Sequence, residues 1–177
     1  MLCCENSEGL SASLEDYLEV IFHLEQSKRV ARAKDIAEQM SVQRASVTGA
    51  LKALAGRGLI NYSPYSFITL TASGREIARE VIRRHKVLKE FFENTLQLGV
   101  EDADANACRI EHAIDPAATE RLVRFLEFVS LCPRTGNDWF DAFGRFCKLG
   151  AQTSDCLECL KLCTQRLQAR RVEDHEA

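Results

Sequence analysis

Ala33-Lys-Asp-Ile-Ala-Glu-Gln-Met40, Ser41-Val-Gln43 and Arg44-Ala-Ser-Val-Thr-Gly-Ala-Leu-Lys-Ala-Leu-Ala-Gly-Arg57 follow one another without a gap, and their reading decides the fold. The first piece is a short helix, the second a tight turn, and the third a helix ended by Gly56 and Gly58. Two short helices so joined read as a helix-turn-helix. Downstream, Leu59-Ile-Asn-Tyr-Ser-Pro-Tyr-Ser-Phe-Ile-Thr-Leu70 predicts two short strands joined around Ser63-Pro64-Tyr65-Ser66. A hairpin after the second helix makes the unit a winged helix.

Working outward, Leu14, Tyr17, Leu18, Ile21 and Leu24 have helical spacing over residues 13–27, and Ser13 is placed to cap that helix. Asp16, Glu19 and His23 share its opposite face, which taken alone reads as a solvated polar stripe. On the other side, Thr71-Ala-Ser-Gly74 introduces a long helix to about Leu96, with Ile77, Val81, His85, Leu88 and Phe92 on one stripe. Residues 101–113 form a further helix, and Asp115-Pro116 opens the next, which carries Leu122, Val123, Phe125, Leu126 and Val129. Burial within the chain and a dimer surface would look alike in that pattern. A homodimer is preferred because two-fold protein symmetry matches operator symmetry.

The expected architecture is mainly α. A flexible start (1–12) precedes the winged helix-turn-helix (13–72) and a helical metal-binding and dimerisation domain (73–130). A Cys-rich helical extension (131–171) and a flexible end (172–177) follow. Within the extension, Cys132-Pro-Arg-Thr-Gly136 predicts a turn, while 137–149 and 154–171 predict helices.

The 177 residues, 46% of them hydrophobic, suffice for one packed domain or two small ones. The net charge of −3 conceals an uneven distribution: thirteen Lys/Arg against five Asp/Glu lie between Ser27 and Glu90. That basic segment suits a phosphate backbone, and the acidic remainder suits cations. No apolar run approaches the roughly 20 residues that span a bilayer, and no export signal is evident, so a cytoplasmic protein without a membrane partner is expected. A Gly-rich phosphate loop and a nucleophile with its base are both missing from the pattern, which argues against an enzyme.

In a helix-turn-helix the start of the second helix meets base edges while flanking groups hold phosphates. Gln43, Arg44, Ser46, Thr48 and Lys52 occupy that surface, and Tyr62, Tyr65 and Ser66 of the wing are candidates for phosphate contact. A different chemistry is concentrated in Ala107-Cys-Arg-Ile-Glu-His-Ala113. On a helix Cys108, Glu111 and His112 share one face, so a thiolate, a carboxylate and an imidazole form half a metal site.

Jointly, Leu14-Glu-Asp-Tyr-Leu-Glu-Val-Ile-Phe22, Asp35-Ile-Ala37 with Ser46-Val-Thr48, Leu70-Thr-Ala-Ser-Gly74, Arg84-His85 and Cys108-Arg-Ile-Glu-His112 resemble the diphtheria toxin repressor and manganese transport regulator family of metal-dependent transcriptional repressors. The resemblance implies a homodimer that binds a double-stranded DNA operator. It also implies a metal held by Asp16, Glu19, His85, Cys108, Glu111 and His112. Asp16 and Glu19 resemble the manganese-responsive branch, whereas Cys108 resembles the iron-responsive one, so Fe(II) and Mn(II) both stand, with the thiolate favouring Fe(II). Lys89 and Asp104 replace the acid and histidine that an ancillary metal site would need. With ligands on both sides, bound metal would pin the winged helix to the dimerisation domain and lower the ordering cost of DNA binding by about 1–3 kcal/mol.

The tail departs from the resemblance. Cys132, Cys147, Cys156 and Cys159, with Cys163 as a substitute, supply thiolates for a structural zinc or an iron–sulfur cluster; the same residues also suit buried thiols. An alternative function therefore keeps the DNA-binding module and makes this tail centre the main sensor.

Overall fold

A computed structural model describes residues 10–28, 30–63, 66–131 and 137–149, together with 161, 164 and 165. The elements run α1 (Ala12–Lys28), α2 (Ala33–Gln39), α3 (Arg44–Gly56), β1 (Ile60–Asn61), β2 (Thr69–Leu70), α4 (Ala72–Glu90), a π-helical turn (Phe91–Thr95), α5 (Val100–Ile110), α6 (Pro116–Leu131) and α7 (Asn137–Leu149). They divide into two compact units. Of the described residues, those up to 86 together with 110–115 form one, and 87–109 together with those from 116 onward form the other.

In the first unit the apolar stripe of α1 supplies Tyr17, Leu18, Ile21 and Leu24 to a core with Ile36 of α2, Val47, Leu51 and Leu54 of α3, and Ile68 of the wing. The two turns that shape the helix-turn-helix use one device twice. After α2, Val42 N–H donates to Ala37 O and Ser41 N–H to Glu38 O; after α3, Leu59 N–H donates to Leu54 O and Gly58 N–H to Ala55 O. Each is a Schellman pattern, with its pivot in the left-handed region at φ 55° for Ser41 and 70° for Gly58. Helix α3 therefore stops at its glycines, as expected, while the turn before it tolerates a serine.

The wing pairs Ile60 with Leu70 and Asn61 with Thr69, antiparallel, and Ala31 adds a bridge to Ile68. The Leu70-Thr-Ala-Ser-Gly74 motif has a mechanical role here. Thr71 Oγ1 accepts from Gly74 N–H (3.2 Å) and donates to Gly58 O (2.8 Å), capping α4 while fastening it to the end of α3. Gly74 lies against the backbone of Leu59, whose carbonyl oxygen would sit 2.0 Å from any added Cβ. Glu25 closes the unit by accepting from Leu70 N–H (2.9 Å) and pairing with Arg75 (2.6 Å).

The second unit is built from α5, α6, α7 and the end of α4. Ala103 and Ala107 are buried on α5, Phe91 packs edge-on against Phe125, and Lys89 pairs with Asp104 at 2.5 Å. Phe125, Phe128 and Leu131 of α6 and Phe146 of α7 are exposed. Helix α5 ends at Ile110, three residues before its expected end: Ala113 N–H and Ile114 N–H both donate to Ile110 O and close a turn that leads to Asp115-Pro116. Glu111 and His112 consequently lie in the turn after α5 and not on its face.

Candidate metal centre

Three segments of the first unit converge: Glu15 and Asp16 from α1, Arg84 and His85 from α4, and Glu111 and His112 from the turn after α5. His112 is the hub. Its Nε2 lies 2.8 Å from Asp16 Oδ1 and 3.2 Å from Glu111 Oε1, and its Nδ1 lies 2.7 Å from Glu15 Oε2. Among the described residues, Asp16, Glu111 and His112 bring one donor atom each to within 4.8 Å of one another. Glu111, 1% exposed, also bonds His85 Nδ1 at 2.5 Å.

Burial pushes the Glu111 carboxyl above its ordinary 4.5, and Glu19 nearby adds to the rise, while His85 and His112 oppose it. For His112 the balance runs the other way. Burial alone would lower it, but the hydrogen bond to Glu15 and the charges of Asp16, Glu111 and Glu15 together hold it above 6.5. Burial makes Glu111 harder to ionise and the acids around His112 favour its charged form, so the cluster offers oxygen donors whose charge is balanced in part by a proton that a metal can replace. Two carboxylates and one imidazole fit a hard or borderline divalent cation such as Mn(II) or Fe(II).

The other expected ligands stand differently. Glu19 pairs with the exposed His23 at 3.5 Å and acts on Glu111 through its charge; His85 reaches the group through Glu111. Cys108 is exposed on α5, belongs to the second unit, and is not among the donors that meet. In the tail, Cys147 is exposed on α7, while Cys132, Cys156, Cys159 and Cys163 lie outside the described residues. The sequence reading overlooked Glu15 and gave Arg84 no role. The available signal was that Glu15 falls one turn before Leu18 on the apolar stripe of α1, where an acid needs a buried partner.

Of the residues expected to meet DNA, Gln43, Arg44, Ser46 and Lys52 are exposed on or beside α3, whereas the half-buried Thr48 donates its hydroxyl to Arg44 O at 3.0 Å. Tyr65 lies outside the described residues. Arg32, ahead of α2, stacks 5.1 Å over the ring of the exposed Phe67, a wing feature that the sequence reading did not single out.

Residues 9–68 match the iron dependent repressor N-terminal DNA binding domain, and residues 71–140 match the iron dependent repressor metal binding and dimerisation domain. The uncharacterized HTH-type transcriptional regulator MJ0568 of Methanocaldococcus jannaschii is 36% identical over 119 residues, covering 67% of this chain and 95% of the relative. The chain belongs to the diphtheria toxin repressor and manganese transport regulator family. Within that family, the HTH-type transcriptional regulator MntR of Shouchella clausii is 34% identical over 118 residues, covering 66% of this chain and 80% of the relative. Among solved structures, the manganese regulator SloR is similar at 30% identity and a TM-score of 0.59, covering 68% of this chain. A manganese-dependent transcriptional repressor in complex with manganese is similar at 30% and 0.60, covering 65%. The chain spans just over half the length of these two solved chains, 56% and 53%. Members of this family are DNA-binding transcriptional regulators and not enzymes. Among the described residues no helix is long and apolar enough to cross a membrane.

Proposed function

We propose that this protein is a cytoplasmic, homodimeric transcriptional repressor whose operator binding is switched by Fe(II) or Mn(II) held at Asp16, Glu111 and His112, with Glu19, His85 and Cys108 completing or tuning the set. The observation that carries this reading is the meeting of donors from α1 and from the turn after α5 within 4.8 Å. A divalent cation there would take over from the proton of His112 as the positive charge among these acids. Asp16 and Glu111 would bind it as carboxylates, and His112 would contribute a neutral imidazole nitrogen once its proton has left.

The consequence for DNA follows from chain connectivity. Helix α1 opens the winged-helix unit, whereas residues 110–115 are flanked in sequence on both sides by segments of the second unit. Holding Asp16 to Glu111 and His112 restricts the motion of α1 against that turn. The recognition helices of a dimer then meet two operator half-sites with less ordering left to do, a coupling of about 1–3 kcal/mol, or roughly 5–150-fold in operator affinity. Gln43, Arg44, Ser46 and Lys52 would meet the DNA, and Arg32 and the wing would lie along its backbone. The cysteines of the tail are an additional candidate zinc or iron–sulfur centre, read by metal and sulfide analysis of anaerobically purified protein.

The test is an anaerobic operator selection from a random duplex library, followed by anisotropy titrations of the selected duplex. Affinity should rise on adding Fe(II) or Mn(II) and fall back with chelator. Equal affinity with chelator and with metal would refute the proposal.

A further inference from the structure

The three donors account for Asp16, Glu111 and one nitrogen of His112, and leave the buried acid Glu15 without a part. Glu15 precedes Asp16 on α1 and is 5% exposed. Neighbouring helix residues diverge by about 100°, so Glu15 and Asp16 cannot share a ligand face. Both nonetheless reach the same ring, Asp16 at Nε2 and Glu15 at Nδ1. The oxygen of Glu15 that takes Nδ1, Oε2, is also the one 3.5 Å from Arg84 Nη2, and Arg84 is itself buried and held by Glu80 O at 3.4 Å.

We infer that Glu15 is a positioning residue for the metal centre: it accepts the Nδ1 proton of His112, fixing the ring plane and presenting the Nε2 lone pair toward Asp16 and Glu111, while Arg84 holds Glu15 in place. This rests on the metal-binding reading above. A neutral imidazole has two tautomers, and only the one protonated at Nδ1 offers Nε2 as a ligand. A carboxylate at Nδ1 selects that tautomer and makes Nε2 a stronger donor, as outer acids do for many metal-bound histidines. A buried carboxylate needs a compensating cation, and Arg84 supplies it from a third segment. The arrangement therefore runs from α4 through Arg84, Glu15 and His112 to the donor group.

A plain clamp between α1 and α4 would need Glu15 and Arg84 alone, and would leave metal affinity and ring state untouched. Two measurements separate the readings. In full-length wild-type protein loaded with Cd(II), nitrogen NMR of His112 should show the metal on Nε2 and a retained, hydrogen-bonded proton on Nδ1. In Mn(II) titrations followed by electron paramagnetic resonance, Glu15→Gln, which keeps the shape and removes the charge, should weaken binding about 10–100-fold while the helical signal persists. Cadmium on Nδ1, or Glu15→Gln melting earlier with unchanged Mn(II) affinity, would overturn the positioning role while leaving the metal centre standing. Wild-type protein that binds neither Mn(II) nor Cd(II) at His112 would overturn both.

Discussion

Replacing His112 with alanine removes the residue that touches Glu15, Asp16 and Glu111, and the effect is best read as lost metal-dependent stability of the first compact unit. Asp16, Glu111 and His112 all belong to that unit, so a cation bound there stabilises its folded form and has no equivalent site in the unfolded chain. At a free Mn(II) concentration one hundred times the dissociation constant the gain is about 2.7 kcal/mol. A unit of this size shifts its melting temperature by about 4–8 °C per kcal/mol, so the wild-type shift should be about 10–20 °C. Loss of a direct ligand should cost at least the roughly hundredfold that loss of an outer partner can cost. The variant site would then be half filled at the same Mn(II), worth about 0.4 kcal/mol and about 2–3 °C. Calorimetry with and without Mn(II) reads the shift. Hydrogen exchange on peptides from 12–86 assigns it to this unit and not to α5, α6 or α7. A wild-type shift below the size expected of the variant, or an equal shift in both proteins, would refute the reasoning.

Three further outcomes follow from particular contacts. Because His112 is held above 6.5 and Glu111 above 4.5, the folded metal-free protein binds more protons than the unfolded chain. Their contribution is full below the unfolded values and lost as pH rises through the folded ones, so metal-free melting should fall from pH 6 to 8 while Mn(II) affinity rises by up to about tenfold per unit as one proton leaves. Gly74→Ala should cost about 3 kcal/mol in urea unfolding, lowering the midpoint with an unchanged slope, since the added carbon would sit 2.0 Å from Leu59 O and backbone has to move. Cys108→Ser should weaken Fe(II) more than Mn(II) in anaerobic competition if the thiolate tunes the site, because sulfur favours the softer ion; equal losses would remove Cys108 from the ligand set.

How far the sequence revealed the fold depended on whether the signal was local. Helix periodicity and glycine punctuation placed α1, α2, α3 and the wing closely, because apolar spacing and the left-handed residue at Gly58 are properties of consecutive residues. The end of α5 was misplaced because pattern alone carried the helix through Glu111 and His112, whereas the turn into Pro116 takes them off it. For the site, the motif around Glu111 and His112 stood out by residue type. Glu15 did not, since its partners are Arg84, 69 residues away, and His112, 97 residues away. Helical spacing sets Glu15 on the apolar stripe and Asp16 off it, but which groups Glu15 meets is decided only when the other two segments are in place.

That placement bears on why such a centre would act as a sensor rather than a permanent store. Without a cation, the acids are partly neutralised from within: Arg84 faces Glu15, and His112 is biased toward its charged form. Any incoming cation competes with that proton and gains only the difference between its own binding and the internal pairing it displaces. Remove the internal pairing, and the buried Glu111 and Glu15 would either destabilise the unit or draw a cation too tightly to release. The internal pairs therefore serve two ends, keeping the metal-free winged helix folded and keeping the affinity moderate. Since a ligand shifts an equilibrium only by its differential affinity for the two states, a unit already folded when the site is empty would respond to metal through the restrained motion of α1 against residues 110–115 and not through folding itself.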